Sequence, residues 1–191
     1  MNLETRQPAV VREIRIAALV RQLSSARGLE RMRARRQLVR IGETAVPALI
    51  EALASPDPTL RLESAEALLY IGSPLSATAL VERLDDTESG VRWLAAEAII
   101  AMKCDGIVPL LAGLTRRADS LWFRQAAHHV LRDHYCEAYR ELLIPVLRAL
   151  EEQMAEDTAP VAAGAALREL TRWTQEEAGA YNARGSAGGE S

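Results

Sequence analysis

Arg61 and Arg92 stand 31 residues apart in segments that align almost position for position. With Leu60-Arg61 set over Val91-Arg92, Ala65 falls on Ala96, Glu66 on Glu97, Ala67 on Ala98, Leu68 on Ile99 and Ile71 on Met102. A shift of 30 backwards puts Arg61 on Arg31, Leu68 on Leu38 and Ile71-Gly72 on Ile41-Gly42, and a shift of 32 forwards from Val91-Arg92 reaches Phe123-Arg124. Behind each of these four segments comes a second apolar stretch: Glu43 to Leu53, Ser76 to Leu84, Asp105 to Leu114 and Glu137 to Leu150. Each unit reads as a helical hairpin. One hairpin cannot bury its own apolar stripe, so neighbouring units must stack and share a continuous core.

Composition agrees with an all-α reading. Of the 191 residues 49% are hydrophobic but only 4% aromatic, so Ala and Leu, which favour helix, supply the apolar surface. Helix starts are expected at Asp57 or Thr59, at Ser89 and at Asp119 or Ser120, and exits at Gly42, Gly72 and Gly106. Pro47 and Pro109 suit the first turns of second helices, whereas Pro145 lies deeper and should bend its helix. The expected layout is a single domain over residues 1–175. It has a capping helix at 9–23, repeats at about 27–54, 57–85, 88–117 and 119–153, and a closing helix at 159–174. Residues 176–191, without apolar period and rich in Gly, Ala and Ser, are expected to form a flexible tail.

The pattern D-x-x-x-R-x-x-A-x-x-A-L-x-x-I-G followed by V-P-x-L-x-x-x-L, carried best by Asp57 to Gly72 and by Gly42 to Leu49, resembles HEAT-like repeats of the phycobilisome-lyase type. The likeness covers roughly residues 27–153, with Met102-Lys103 and His134-Tyr135 departing from Ile-Gly in the third and fourth units. It implies a right-handed α-solenoid of about four to five hairpins. It also implies that Arg61, Arg92 and Arg124, with Asp57, Asp86 and Asp119, form a structural ladder of Asp-to-Arg and Arg-to-backbone bonds. Such repeats serve as scaffolds, bilin lyase subunits, alkylpurine DNA glycosylases and an iron-dependent hydroxylase. The hydroxylase uses His-Glu pairs, and this sequence has none.

On a helical wheel anchored at Val91, Leu94, Ala95, Ala98, Ile99 and Met102 fall on the buried side. Positions two and nine further on should face solvent. They are Met32 and Val39, Leu62 and Leu69, and Trp93 and Ile100 in the first three units, but Gln125 and Arg132 in the fourth. Six apolar side chains at equivalent outward places are expected to form a partner or self-association surface. In the first unit the buried positions include Glu30, Arg33 and Gln37, which weakens the pattern there.

Charge is polarised along the chain. Residues 1–50 carry a balance of +6 within a formal net charge of −3, so the remainder carries −9. The densest basic run is Arg27 to Arg40, and Arg33, Arg36 and Arg40 form a candidate anion-binding patch. A nucleic-acid binder would usually be basic overall, so the sequence pI near 5.7 argues against that use.

No catalytic or metal site is expected. His128, His129, His134 and Cys136 fall within nine residues, but His128 and His129 diverge by about 100° on a helix and His134 takes a core position. There is no Gly-x-Ser-x-Gly and no Gly-rich phosphate loop, and the adjacent pairs Glu151-Glu152 and Glu176-Glu177 diverge on a helix. With no long apolar run and no secretory leader in view, the cytoplasm of a bacterium is the expected location, and Cys104 and Cys136 are expected as reduced thiols. The expectation for function is a non-catalytic, cofactor-free protein-protein interaction scaffold, able to form a homo-oligomer and without a membrane role. The alternatives are a bilin lyase subunit-like chromophore chaperone, or nucleic-acid binding through the basic first repeat.

Overall fold

A computed structural model describes the backbone of residues 3–133 and 137–187. Among these residues there are α-helices and short 3-10 turns and no strand. Helix α1 (Leu3–Gln22) opens the chain and is followed by four hairpins, α2 (Gly28–Ile41) with α3 (Val46–Ala52), α4 (Pro58–Ile71) with α5 (Ala77–Glu82), α6 (Ser89–Ala101) with α7 (Ile107–Arg117), and α8 (Leu121–Asp133) with α9 (Arg140–Glu151). Helix α10 (Ala155–Ala187) closes it. The first helices α2, α4, α6 and α8 pack side by side in one layer, and the second helices line the other. The all-α solenoid expected from the repeat is the architecture found.

The buried wheel positions hold. Val91, Leu94, Ala95, Ala98, Ile99 and Met102 all lie in the core, and alanines recur at the interface (Ala34, Ala65, Ala67, Ala96, Ala98) because a methyl group lets neighbouring helices approach closely. Each second helix is entered through a 3-10 turn: Gly42–Ala45, Pro74–Ser76, Lys103–Gly106 and Glu137–Tyr139. Gly42 and Gly72 leave their helices with φ of +70° and +67°. Lys103, which replaces Gly in the third unit, also has a positive φ, +52°. That conformation costs an L-residue roughly 1–2 kcal/mol, of which glycine's greater freedom in the unfolded chain takes back roughly 0.5–1 kcal/mol. Lys103→Gly should therefore raise the thermal midpoint, with a gain of about 0.5–1 kcal/mol; a lower midpoint would show that the lysine side chain outweighs the backbone cost.

Gly106 does not exit a helix as expected. It is buried, and a Cβ there would come 2.8 Å from the Ile99 carbonyl oxygen, so this glycine permits close packing. Of the expected helix starts, Asp57 accepts from the Thr59 N–H at 2.9 Å and Ser120 Oγ accepts from the Phe123 N–H at 3.2 Å. Ser89 is the first residue of α6 and caps nothing, because the chain places Glu88 at the cap.

An arginine ladder locks the units. Arg31, Arg61, Arg92 and Arg124 each donate Nη1 to the carbonyl six residues earlier, at Ser25, Ser55, Asp86 and Ala118. Each first helix is thereby tied to the loop that precedes it. Of the expected acids, Asp86 alone meets a ladder arginine through its side chain: both its oxygens accept from Arg61 at 2.8 Å, bridging the second and third units. Asp57 caps α4 instead, and Asp119 offers its carbonyl to Arg124. A second ladder, not anticipated, runs along the other layer, where Arg83 donates to the Leu53 carbonyl and Arg117 to that of Glu82.

The ends depart from the repeat. Ile16, Leu19 and Leu23 of the opening segment bury against the first hairpin, and Arg15 donates to Gln37 at 3.1 Å, which gives the polar wheel position of α2 a partner. At the other end α10 packs against both α7 and α9, with Ala155, Ala159, Ala163, Ala166 and Leu170 as its buried face. It starts before Pro160 and continues to Ala187, through most of the stretch expected as a flexible tail, because Ala, Glu and Arg there favour helix locally. Residues 188–191 of that expected tail lie outside the described residues. Pro145 sits inside α9, on its exposed side.

Candidate protein-interaction surface

The six apolar positions expected to face outward do not share one environment. Trp93 is 58% exposed. Val39, Leu62, Leu69 and Ile100 are half-buried against the core, and Met32 is also half-buried. The expectation of a continuous exposed stripe is corrected by the side-by-side packing of the first helices, which covers the flank of each by the next. Leu62 shows the reason: its Cδ1 would lie 3.0 Å from a Cβ placed on Gly90, so it fills the gap at the start of α6. Two places on the first-helix layer join these positions to exposed aromatic side chains.

One is the edge of α6 and α8. Trp93 projects from the first turns of α6, and beside it the Arg92 guanidinium stacks over the Trp122 ring at 4.4 Å from its centroid. Trp122 and Leu121 are exposed there as well. The other lies between α2 and α4. Met32, Arg35, Arg36, Val39 and Arg40 occupy one face of α2 by their helical spacing, and with Tyr70 of α4, itself 64% exposed, they line a groove of about 450 Å³. Two of the expected interface residues and two of the three expected anion-patch arginines thus share one groove. Arg33 is exposed and does not line it.

The arginines of α2 divide by partner. Arg31 donates to Glu63 at 2.9 Å, and Arg35 pairs with both Glu63 and Glu66. Burial, aided by Glu63 and opposed by Arg35, holds the Glu66 carboxyl above its ordinary value. Arg36 and Arg40 have no hydrogen bond or ion pair among the described residues. These arginines are dense in the sequence, but pairing separates those that hold α4 from those that face outward.

His128 and His129 are occupied in contacts with carboxylates of neighbouring helices and of their own helix. His129 lies 3.0 Å from Glu97 of α6 and 3.0 Å from Asp133, and His128 lies 3.1 Å from Glu151 of α9. Arg132 beside Asp133 holds its carboxyl below the usual range. No group of three or more His, Cys, Asp or Glu among the described residues is arranged to hold a metal. His134 and Cys136 lie outside the described residues. Cys104, expected as a reduced thiol, is disulfide-bonded. Among the described residues no helix is long and apolar enough to cross a membrane.

A family description of HEAT repeats matches residues 16–100, which span α1 to α6. Residues 16–100 are similar to HEAT repeats. A phycobilisome maturation protein of Synechococcus elongatus is 34% identical over 116 residues, 61% of this chain. The match spans 55% of that relative's length, so the chain corresponds to about half of it. Arg31, Arg61 and Arg92 of the first ladder lie within the matched residues, and Arg124 lies beyond them. The groove between α2 and α4 and Trp93 itself lie within the matched residues, whereas Leu121 and Trp122 lie beyond them.

Proposed function

We propose that the chain is a non-catalytic scaffold that holds another protein on the outer surface of its first-helix layer. The observation that carries this reading is Trp93, more than half exposed on α6, a helix whose remaining large apolar side chains are buried or half-buried. Tryptophan offers a large rigid contact area and is enriched among residues that anchor protein interfaces. The test is affinity capture from the native host with the wild type and with Trp93→Glu. The substitution should abolish recovery of the partner and leave stability within about 0.5 kcal/mol, as a surface change does. Retention of the partner, or loss of the fold, would remove Trp93 as the anchor. Leu62→Glu is unsuitable as a companion, because Leu62 packs against α6 and its replacement should unfold that edge. Self-association is a separate outcome, read by sedimentation of the isolated chain.

A second reading is favoured by one finding, the similarity to the phycobilisome maturation protein of Synechococcus elongatus. On that reading the chain is a bilin lyase subunit-like chromophore chaperone that acts with a second HEAT-repeat chain. Co-purification with a coloured tetrapyrrole would support it, and a colourless protein after co-expression with the pigment would favour the scaffold. A cytoplasmic location accompanies either reading.

A further inference from the structure

We infer that the groove between α2 and α4 takes an acidic amphipathic helix of the partner protein, with carboxylates one turn apart. This rests on the scaffold reading and names the chemistry that one end of the scaffold recognises. Arg36 and Arg40 are four residues apart on α2, so their guanidinium groups rise from the same face about one turn from each other. Neither has an acceptor among the described residues, whereas Arg31 and Arg35 of the same helix are neutralised by Glu63 and Glu66. The groove therefore has an unpaired positive rim. Its floor is different: Met32 and Val39 are half-buried, and Tyr70 stands over it from α4.

A ligand that satisfies both parts must carry anionic groups beside an apolar stripe. A helix with Glu or Asp at i and i+4, flanked by Leu or Met, has that arrangement, and helix-in-groove docking uses such a face. Arginine also pairs well with carboxylates in fork geometry. Nucleic acid fits less well, because among the described residues two of the three lining arginines lack an acidic partner, and the remaining lining is Met32, Val39 and Tyr70.

The probe is a fluorescently labelled synthetic helix carrying Glu at i and i+4 beside a Leu stripe. Two comparators accompany it, the same peptide with Lys for Glu and a single-stranded oligonucleotide. Fluorescence anisotropy on the full chain should show binding of the Glu peptide alone, weakened by salt. Arg36→Glu with Arg40→Glu should lower its affinity about tenfold or more, since reversed rim charges repel a carboxylate. Tyr70→Ala should lower it with the arginines intact. Circular dichroism must remain unchanged in each variant, and Arg36→Gln with Arg40→Gln provides a milder pair if charge reversal disturbs folding. Equal binding of the Glu and Lys peptides, arginine-dependent binding of the oligonucleotide alone, or unchanged affinity in the double variant would each overturn the proposal. If the peptide fails while affinity capture through Trp93 persists, the groove assignment falls and the scaffold stands. If capture fails as well, the scaffold reading falls with it.

Discussion

Asp86→Ala should destabilise the protein by about 3–5 kcal/mol, the cost of leaving one partner of a buried ion pair uncompensated. Asp86 is 6% exposed and Arg61 8%, and the two share a pair of 2.8 Å bonds. The same carboxylate accepts from the Glu88 N–H at 3.0 Å, and the Asp86 carbonyl accepts from Arg92 at 2.7 Å. One residue therefore joins α4, the inter-repeat loop and α6. In the variant Arg61 keeps the Ser55 and Pro56 carbonyls but loses its counter-charge. Urea unfolding should show the early loss, and a double replacement of Arg61 and Asp86 by apolar residues of similar volume should recover much of it. A loss under 1 kcal/mol would mean that the junction is held by packing alone.

The pair also sets a pH dependence. Burial pushes the Asp86 carboxyl up, but the Arg61 hydrogen bonds, the Glu88 N–H and the charges of Arg61 and Arg83 outweigh it, leaving the group below its ordinary value. A depressed carboxylate adds stability that is present above its unfolded pKa, about 3.9, and is lost as pH falls through the lower folded value. The stability difference between wild type and Asp86→Asn should thus be full at neutral pH and shrink below about pH 4. An unchanged difference at pH 2 would show that the native carboxylate is not the stabilising species.

The repeat was legible because helix spacing and shared cores act on the sequence directly. Val91, Leu94, Ala98 and Ile99 face inward as the wheel requires, and the positions of Arg31, Arg61, Arg92 and Arg124 are each held by a carbonyl six residues earlier. What one helix cannot report is the neighbour that covers its flank. Leu62, Leu69 and Ile100 fall on the outward side of the wheel, yet they are half-buried against the core, Leu62 against the start of α6. Pairing was equally hidden: Arg35 and Arg36 are neighbours in sequence, but only Arg35 meets Glu63 and Glu66. The groove could have been sought in the spacing 32, 35, 36, 39 and 40, one helical face joining two apolar residues to three arginines. Tyr70 could not, since its place beside that face depends on how α4 lies against α2. The turn at Lys103 was hidden for a different reason, since surrounding structure imposes a backbone that the residue itself disfavours.

Phe123→Ala should cost about 3–5 kcal/mol, the range for deleting a large buried aromatic, and its effect should stay local. Phe123 is fully buried; its ring and Val81 Cγ1 both close on Gly113, with Cβ-to-atom approaches of 2.7 and 2.6 Å if a methyl were added there. The Arg117 guanidinium lies 5.5 Å from the ring centroid, so the ring also supports the second arginine ladder. In a stacked-repeat protein each unit contacts chiefly its neighbours, and a lesion at one interface weakens the coupling there more than the intrinsic stability of distant units. Amide exchange should therefore rise in α7 through α10 while α2 and α4 keep their protection. The acidic-peptide affinity of the α2–α4 groove should be unchanged under the same conditions. A uniform rise in exchange across all helices, with loss of peptide binding, would show that the whole stack unfolds as one cooperative unit and that the groove depends on the far end of the solenoid.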